Sequence, residues 1–91
     1  LPPAVDATLY RVAQEALTNV VKHAGAVTRV DVALCWNGAD VELRVADDGR
    51  GSDAPAGHGL AGMRERVTAH RGTLTAGRAD GGFVVRAVIP L

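Results

Sequence analysis

The sequence of 91 residues has one cysteine, no net charge and no long hydrophobic run. The single cysteine, Cys35, cannot form an internal disulfide bond and fits a reducing compartment. Ten basic and ten acidic residues cancel, which removes the basic footprint expected of a dedicated nucleic-acid binder. No apolar run approaches the ~20 residues that span a bilayer, and no signal peptide is visible. We therefore expect a cytoplasmic domain that contacts neither nucleic acid nor a membrane.

The short chain has room for one domain, residues 1–91, built around one core. Apolar residues make up 47% of the sequence, which is enough to fill that core. The sequence starts at Leu1 without a methionine, and its first letters, "LPPAVD", are typical of the start of a helix. We therefore expect a domain excised from a longer protein, and such a parent could itself be anchored in a membrane.

A long amphipathic helix is predicted for residues 3–24. Apolar residues recur there at the i, i+3, i+4, i+7 spacing of one helix face. Proline at the start and Gly25 just past the end follow the usual asymmetry of helix termini. The apolar positions are Leu9, Val12, Ala13, Ala16, Leu17, Val20 and Val21.

Two hairpins and a second helix account for the rest of the chain. Asn37-Gly38 stands between two runs of alternating apolar residues, which predicts two antiparallel strands with one face buried. A helical pattern then precedes a second pair of strands, with "ADGG" as their turn. The apolar residues of these elements are Val30, Val32, Leu34 and Trp36; Val41, Leu43 and Val45; Leu60, Met63 and Val67; and Phe83, Val85, Ala87 and Ile89.

The predicted order is helix, strand, strand, glycine-rich loop, helix, strand, strand. No βαβ repeat forces the strands to be parallel. The order predicts an α+β fold, a two-layer sandwich with both helices on one face of a mostly antiparallel mixed sheet.

Polar residues form a stripe along one margin of the first helix. Glu15, Asn19 and His23 are spaced i, i+4, i+8, and Lys22 lies beside them towards solvent. Asparagine is unfavourable inside a helix, so Asn19 is unusual there. A carboxylate one turn before it and a lysine three residues after it would suit an Mg²⁺–phosphate group. A solvated helix face explains the same residues, and the stripe alone leaves both interpretations open.

Glycines and aspartates are concentrated in residues 47–62. Asp47 is expected at the end of a central strand, where a fixed carboxylate could accept a hydrogen bond from the exocyclic amine of a purine. Gly49 and Gly51 would leave space for a flat ring. A simple turn after a strand is the alternative.

A second group of glycines, Gly57, Gly59 and Gly62, stands at the start of the second helix. Free backbone N–H groups and the positive end of the helix dipole would suit phosphates there. A helix start with close backbone packing is the alternative. The spacing differs from the dinucleotide-binding fingerprint.

Patterns for other chemistries are weak. Ser52 lacks a nucleophile-elbow context, and Cys35 has no catalytic partner nearby in the sequence. His58 and His70 lack metal-ligand spacing to other histidines or cysteines. We therefore predict neither a nucleophile-based triad nor a zinc-type metal site.

The ordered combination of these motifs resembles one family. "EALTNVVKHA" is similar to the N box of the ATP-binding domain of histidine kinases, the GHKL or Bergerat-fold ATPases. "DDGRG" resembles their G1 box, "GHGLAGMRERV" their G2 box, and "GGFVVRAVIPL" their final strand. The resemblance covers essentially the whole chain and is closest to the sensor kinases that pair with NarL-type response regulators.

The resemblance implies roles for individual residues. Asn19 would bind Mg²⁺ through its side-chain oxygen, and Glu15 would support the metal or its water shell, so both are implied to be catalytic. Asp47 would accept a hydrogen bond from the adenine amino group, above a floor formed by Gly49 and Gly51. The remaining contacts, on the phosphate side of ATP, would come from Lys22, His23, Gly57, His58, Gly59, Leu60 and Gly62.

The resemblance also implies partners. Residues 52–56 would form a short ATP lid without the F box of larger kinase classes. The γ-phosphate would go to a histidine on a separate dimerisation and phosphoacceptor domain of the same kinase, and from there to a NarL-type response regulator. No histidine here lies in a phosphoacceptor motif. We therefore expect the chain to bind Mg·ATP but not to phosphorylate itself.

Three alternatives belong to other classes. A serine kinase of the anti-sigma-factor type shares the "EAxxN" helix and the glycine boxes, but the "GMRER" helix and the abrupt start at Leu1 argue against it. A pure interaction module that has lost nucleotide binding is disfavoured because Asn19, Asp47 and the glycines are intact. An ATP-hydrolysing clamp of the gyrase or mismatch-repair type would need segments that 91 residues cannot contain.

Overall fold

The computed structural model describes residues 1–23, 27–49, 59–79 and 81–91. Two helices and four strands follow in the predicted order. They are α1 (Pro3–His23), β1 (Val30–Trp36), β2 (Asp40–Asp47), α2 (Leu60–Thr68), β3 (Thr73–Ala79) and β4 (Gly82–Pro90).

The four strands form one sheet in the order β1-β2-β4-β3. Every pairing among the described strands is antiparallel, so the parallel pair of a mixed sheet is not present among them. The β1–β2 hairpin turns at Asn37, whose side-chain oxygen accepts hydrogen bonds from the backbone N–H groups of Ala39 and Asp40. Gly38 in that turn has a φ of 91°, a conformation that favours glycine.

Both helices pack on the same face of the sheet. Helix α1 contacts β2 and β4, α2 contacts β3 and β4, and the two helices also contact each other. This arrangement confirms the predicted α+β two-layer sandwich. The core lies between the layers and consists of Val5, Leu9, Val12, Ala16, Val41, Leu43, Val45, Met63, Val67, Leu74, Val85, Ala87 and Ile89.

The prediction of a buried face is correct for β2, whereas for β1 it is correct only at Val30, which is half-buried against the core. Val32, Leu34 and Trp36 are paired with core residues of β2 and lie on the same face of the sheet. They nevertheless remain 51%, 56% and 64% exposed. The reason is that β1 is an edge strand, while the helices contact the other three strands.

The predicted apolar face of α1 is also too wide. Leu9, Val12 and Ala16 are buried, but Leu17 is 39% and Val21 is 87% exposed. By helical geometry the two exposed residues lie on the flank opposite the side that meets α2. No helix of the described part is long and apolar enough to cross a membrane.

Candidate functional site

The end of the central strand β2 holds the Asp47 carboxylate in a defined place. Asp47 pairs with Val30 of β1 and with Phe83 of β4, and it follows the alternation of Val41, Leu43 and Val45 towards the helix side. The side chain is half-buried, and its Oδ1 accepts a hydrogen bond of 2.8 Å from the backbone N–H of Gly49. Among the described residues, that is the only hydrogen bond to this carboxylate.

The next residue, Asp48, ties this end of β2 to the start of β1. Its carboxylate accepts hydrogen bonds from the backbone N–H of Thr28 at 2.9 Å, from that of Arg29 at 3.1 Å, and from the Thr28 hydroxyl. The Asp48 N–H in turn donates to the Arg29 carbonyl at 3.3 Å. The Thr28 side chain and these backbone donors favour the charged form, so they lower the pKa of Asp48 from the ordinary value of an aspartate.

A second set of contacts reaches the same place from the β3–β4 hairpin. One nitrogen of the Arg78 guanidinium, Nη1, donates to the Gly49 carbonyl at 3.1 Å and to the Gly82 carbonyl at 3.2 Å. Gly82 is buried against the backbone of Asp47, and a Cβ there would overlap the Asp47 carbonyl. A side chain at position 82 would therefore push β4 away from the end of β2.

Helix α1 meets the first turn of α2 at Glu15. Gly59, the residue before α2, has a φ of 72°, and a Cβ there would overlap the Glu15 carboxylate. Within the described residues, no side chain caps this helix end, and no acidic residue occupies its first turn. Its first N–H groups lack intrahelical partners, so the Glu15 carboxylate lies beside a positively polarised helix end.

The other predicted residues of α1 lie around the same margin. Asn19 is half-buried one turn after Glu15, and Lys22 is exposed. His23 ends the helix, and its side chain lies outside the described part of the structure. Glu15 and Asn19 thus place two oxygen-bearing side chains on adjacent turns of one helix, on the flank that meets α2.

The glycine-rich segment is described only at its two ends. Gly51, Gly57 and His58, together with the predicted lid at 52–56, lie outside the described residues. Leu60 is half-buried and packs against the core, so its backbone rather than its side chain is available at the start of α2. At Gly62 a Cβ would have Arg66 Nη1 as its nearest neighbour, 3.7 Å away. Space alone does not require glycine at that position.

The side chains present here can be compared with the ligands that a magnesium ion prefers. Within residues 1–23, 27–49, 59–79 and 81–91 there is no group of three or more His, Cys, Asp or Glu side chains that could hold a metal. The Glu15 carboxylate and the Asn19 amide are oxygen donors, as Mg²⁺ prefers. Mg²⁺ usually takes one or two protein ligands together with substrate phosphates and water. The residues present fit such a shared site and do not fit a metal cage made of protein alone.

Several residues around the end of β2 were not singled out by the sequence analysis. Asp48 was quoted only as part of "DDGRG", and Gly82 only as part of the turn "ADGG" and of the final-strand motif "GGFVVRAVIPL". The double glycine was a signal that a backbone approaches closely there. Thr28 and Arg78 carried no signal, because their contacts with Asp48 and Gly49 join segments that are far apart in the sequence.

Three kinds of comparison connect this geometry with known proteins. The family model described as "Histidine kinase-, DNA gyrase B-, and HSP90-like ATPase" matches residues 4–91. The ATP-binding domain of PrrB from Mycobacterium tuberculosis is 26% identical with a TM-score of 0.61, and the match covers all of this chain and 68% of that one. The histidine kinase AdeS of Acinetobacter baumannii has a TM-score of 0.74 at 17% identity, over 91% of this chain and 45% of that one. The AdeS match supports the fold alone.

Curated relatives in sequence are sensor kinases. The sensor histidine kinase MctS of Rhizobium johnstonii is 35% identical over 99% of this chain, and LnrJ of Bacillus subtilis is 36% identical over all of it. The match spans 21% and 23% of those proteins, so the chain corresponds to about a fifth of their length. The family match, over nearly the whole chain, shows that this protein belongs to the histidine kinase-, DNA gyrase B- and HSP90-like ATPases.

Proposed function

We propose that the chain binds Mg·ATP between α1, the end of β2 and the start of α2, and presents the γ-phosphate to a histidine on a separate domain. The observation that carries this proposal is the contact between Glu15 and Gly59. It joins the polar stripe of α1 to the helix start that the sequence assigned to phosphate, although the two motifs are distant in the chain.

Asp47 is proposed as the residue that recognises adenine. Gly49 engages Oδ1 of its carboxylate, so Oδ2 can accept a hydrogen bond from an exocyclic amino group. Adenine carries such a donor at N6, whereas guanine has an acceptor, O6, at the equivalent position. A carboxylate held at the end of a strand therefore favours adenine over guanine. Gly49 and, by the family resemblance, Gly51 would form the floor beneath the ring.

The phosphates are proposed to lie at the start of α2. Gly59, Leu60 and Gly62 contribute backbone there, and the uncapped N–H groups suit an anion. Asn19 and Glu15 would hold Mg²⁺, which supplies positive charge to the phosphate oxygens when bound. Lys22 lies exposed on the same margin, where its ammonium can approach phosphate. The family resemblance adds His23, Gly57 and His58 to this side.

The receiving histidine is proposed to lie on a dimerisation and phosphoacceptor domain of the same kinase, with a NarL-type response regulator as the next acceptor. MctS and LnrJ are sensor histidine kinases, and this chain matches 21% and 23% of their lengths. The short match supports a receiving histidine that lies on another domain. The exposed free thiol of Cys35 supports a cytoplasmic location for this step.

Nucleotide binding is tested by isothermal titration of the chain with Mg·ADP and Mg·ATP. We expect Asp47→Asn to weaken binding by about 10- to 150-fold, as when a hydrogen bond to a charged group is lost. Asp6→Asn is the control, because Asp6 also carries a carboxylate but is exposed in the first turn of α1, nine residues before Glu15. Absence of binding by the parent chain, or equal affinity of the parent and Asp47→Asn, would overturn the proposal.

Phosphoryl transfer is tested separately with radiolabelled ATP. The chain alone should incorporate no phosphate, whereas mixing or fusing it with the phosphoacceptor domain of a related sensor kinase should produce acid-labile phosphohistidine. Acid-stable phosphoserine on an anti-anti-sigma protein would instead identify a serine kinase of the anti-sigma-factor type.

A further inference from the structure

The residues around Asp47 form a two-sided attachment at the end of β2. On the β1 side, the Asp48 carboxylate holds Thr28 and Arg29 through three hydrogen bonds. On the β4 side, Arg78 bridges the carbonyls of Gly49 and Gly82. The three consecutive residues 47–49 are thus connected to both neighbouring strands beyond the regular pairing of the sheet.

Each of these contacts restricts a different part of the turn that holds the Asp47 side chain. The hydrogen bond from the Gly49 N–H to Asp47 Oδ1 fixes one carboxylate oxygen. The orientation of that N–H depends on the peptide between residues 48 and 49, which Asp48 anchors to the start of β1. The Gly49 carbonyl, one peptide later, is held by Arg78 at 3.1 Å. Releasing either anchor lets the turn rotate, and the direction of Oδ2 then changes.

Close packing at Gly82 makes this restraint effective. Because a Cβ at this position would overlap the Asp47 carbonyl, the β4 backbone lies directly against the end of β2. The guanidinium of Arg78 holds the carbonyls of both segments at once. One cation therefore connects the loop after β2 with the first residue of β4.

We propose that Asp48 and Arg78 are positioning residues, which orient the Asp47 carboxylate and the Gly49 backbone for the amino-bearing face of the nucleobase. This inference rests on the proposed nucleotide-binding function and adds residues to that site. Neither residue needs to touch the ligand. Their effect on affinity passes through Asp47, whose hydrogen bond to the base is effective only if the carboxylate is held in one direction.

A double-mutant cycle on Mg·ADP affinity tests the proposal for Asp48. We expect Asp48→Ala to weaken Mg·ADP binding by roughly tenfold in the parent chain. In an Asp47→Ala background the same substitution should change affinity by less than about twofold, because the group that it positions is absent. Equal losses in both backgrounds would show a purely structural role for Asp48 and overturn the inference.

Substitutions of Arg78 test the proposal independently of the Asp48 cycle. Arg78→Met should reduce both the affinity for Mg·ADP and the preference for Mg·ADP over Mg·inosine diphosphate, which lacks the amino group. Arg78→Lys should recover part of both, since an ammonium can still donate to a carbonyl. A partly unfolded population weakens every ligand by the same factor. An unchanged preference in Arg78→Met would therefore overturn the role of Arg78.

Substitutions at exposed charges serve as controls, and a milder variant can replace Asp48→Ala. Asp6→Ala and Arg11→Met remove exposed charges of the same types from α1 and should leave Mg·ADP affinity within about twofold. If Asp48→Ala fails to fold, Thr28→Val, which deletes only the hydroxyl bond, takes its place in the cycle with a smaller expected loss. If the parent chain binds no nucleotide, the proposed function fails, and that outcome is distinct from binding by the parent without coupling between Asp47 and Asp48.

Discussion

Three glycine-to-alanine substitutions separate backbone strain from the steric effect of the Glu15 contact. Gly59 has a φ of 72°, and an added Cβ would overlap the Glu15 carboxylate. Gly38 has a φ of 91° with no atom within 4 Å of an added Cβ. Gly62 lies inside α2 without a positive φ, and its added Cβ would have one neighbour, at 3.7 Å. Gly59 therefore combines a left-handed backbone with a steric overlap, Gly38 has the left-handed backbone alone, and Gly62 has neither.

The expected changes in the free energy of unfolding follow from these environments. Gly38→Ala should lower it by about 1–2 kcal/mol, the cost of the left-handed conformation. Gly59→Ala should have the same cost plus about 0.5–1.5 kcal/mol for displacing Glu15 from its rotamer, and the two costs sum to about 1.5–3.5 kcal/mol. Gly62→Ala should raise the free energy of unfolding by about 0.5–1 kcal/mol, because alanine is favoured inside a helix.

Urea unfolding followed by far-UV circular dichroism measures all three values, and small single domains usually unfold in two states. The decisive comparison is made in a Glu15→Ala background. There the cost in free energy of unfolding should no longer be greater for Gly59→Ala than for Gly38→Ala, because the overlapping carboxylate is absent. If the excess persists there, Glu15 does not lie against Gly59. If Gly59→Ala is no more destabilising than Gly62→Ala, the left-handed start of α2 is refuted as well.

Three further predictions concern the core, a helix contact and the pH dependence of stability. Met63 is 0% exposed, so Met63→Ala should lower the free energy of unfolding, measured by urea unfolding, by about 2–5 kcal/mol. Leu34 is 56% exposed, so Leu34→Ala should change it by less than ~0.5 kcal/mol. Similar losses at the two sites would contradict the assignment of the core. The Thr8 hydroxyl forms a hydrogen bond of 2.8 Å with His70 Nε2 and so links α1 to the turn that follows α2. Thr8→Val should cost about 1 kcal/mol by the same assay, and no cost would show that the bond contributes nothing. The hydrogen bonds from Thr28 and Arg29 lower the pKa of Asp48 from the ordinary value of an aspartate. They therefore stabilise the fold above that ordinary value, and this stabilisation is lost as the pH falls through the folded pKa. The difference in Tm between the protein and Asp48→Asn should shrink on acidification, and a constant difference would argue against these bonds.

Local signals were sufficient for the elements and for most of the core. The apolar periodicity of α1, the Asn37-Gly38 turn and the alternation of β4 predicted elements that the structure contains. These signals depend on residues close together in the chain. The exposure of Leu17, Val21 and the β1 apolar residues was not predicted, because periodicity reports which face of an element is apolar but not which other element covers it.

The motifs of the candidate site were visible in the sequence, whereas their spatial grouping was not. Asn19, Asp47 and the glycines could be singled out because their residue types are unusual for a helix interior or a simple connection. The residues that hold them, such as Thr28 and Arg78, have ordinary types at ordinary places. Only the pairing of β2 with both β1 and β4 brings their hydrogen-bonding groups to residues 48 and 49.

The sequence by itself determined the order of elements, the α+β class and the motifs of an ATPase of this family, because those depend on local periodicity and on residue type. The tertiary structure decided three other matters. Glu15 lies against the start of α2, and Val32, Leu34 and Trp36 of β1 remain exposed. Asp48 and Arg78 form hydrogen bonds that hold the end of β2 to β1 and β4. These depend on contacts between distant segments. Such contacts form only when the sheet order and the helix packing are set together, by the burial of one shared core.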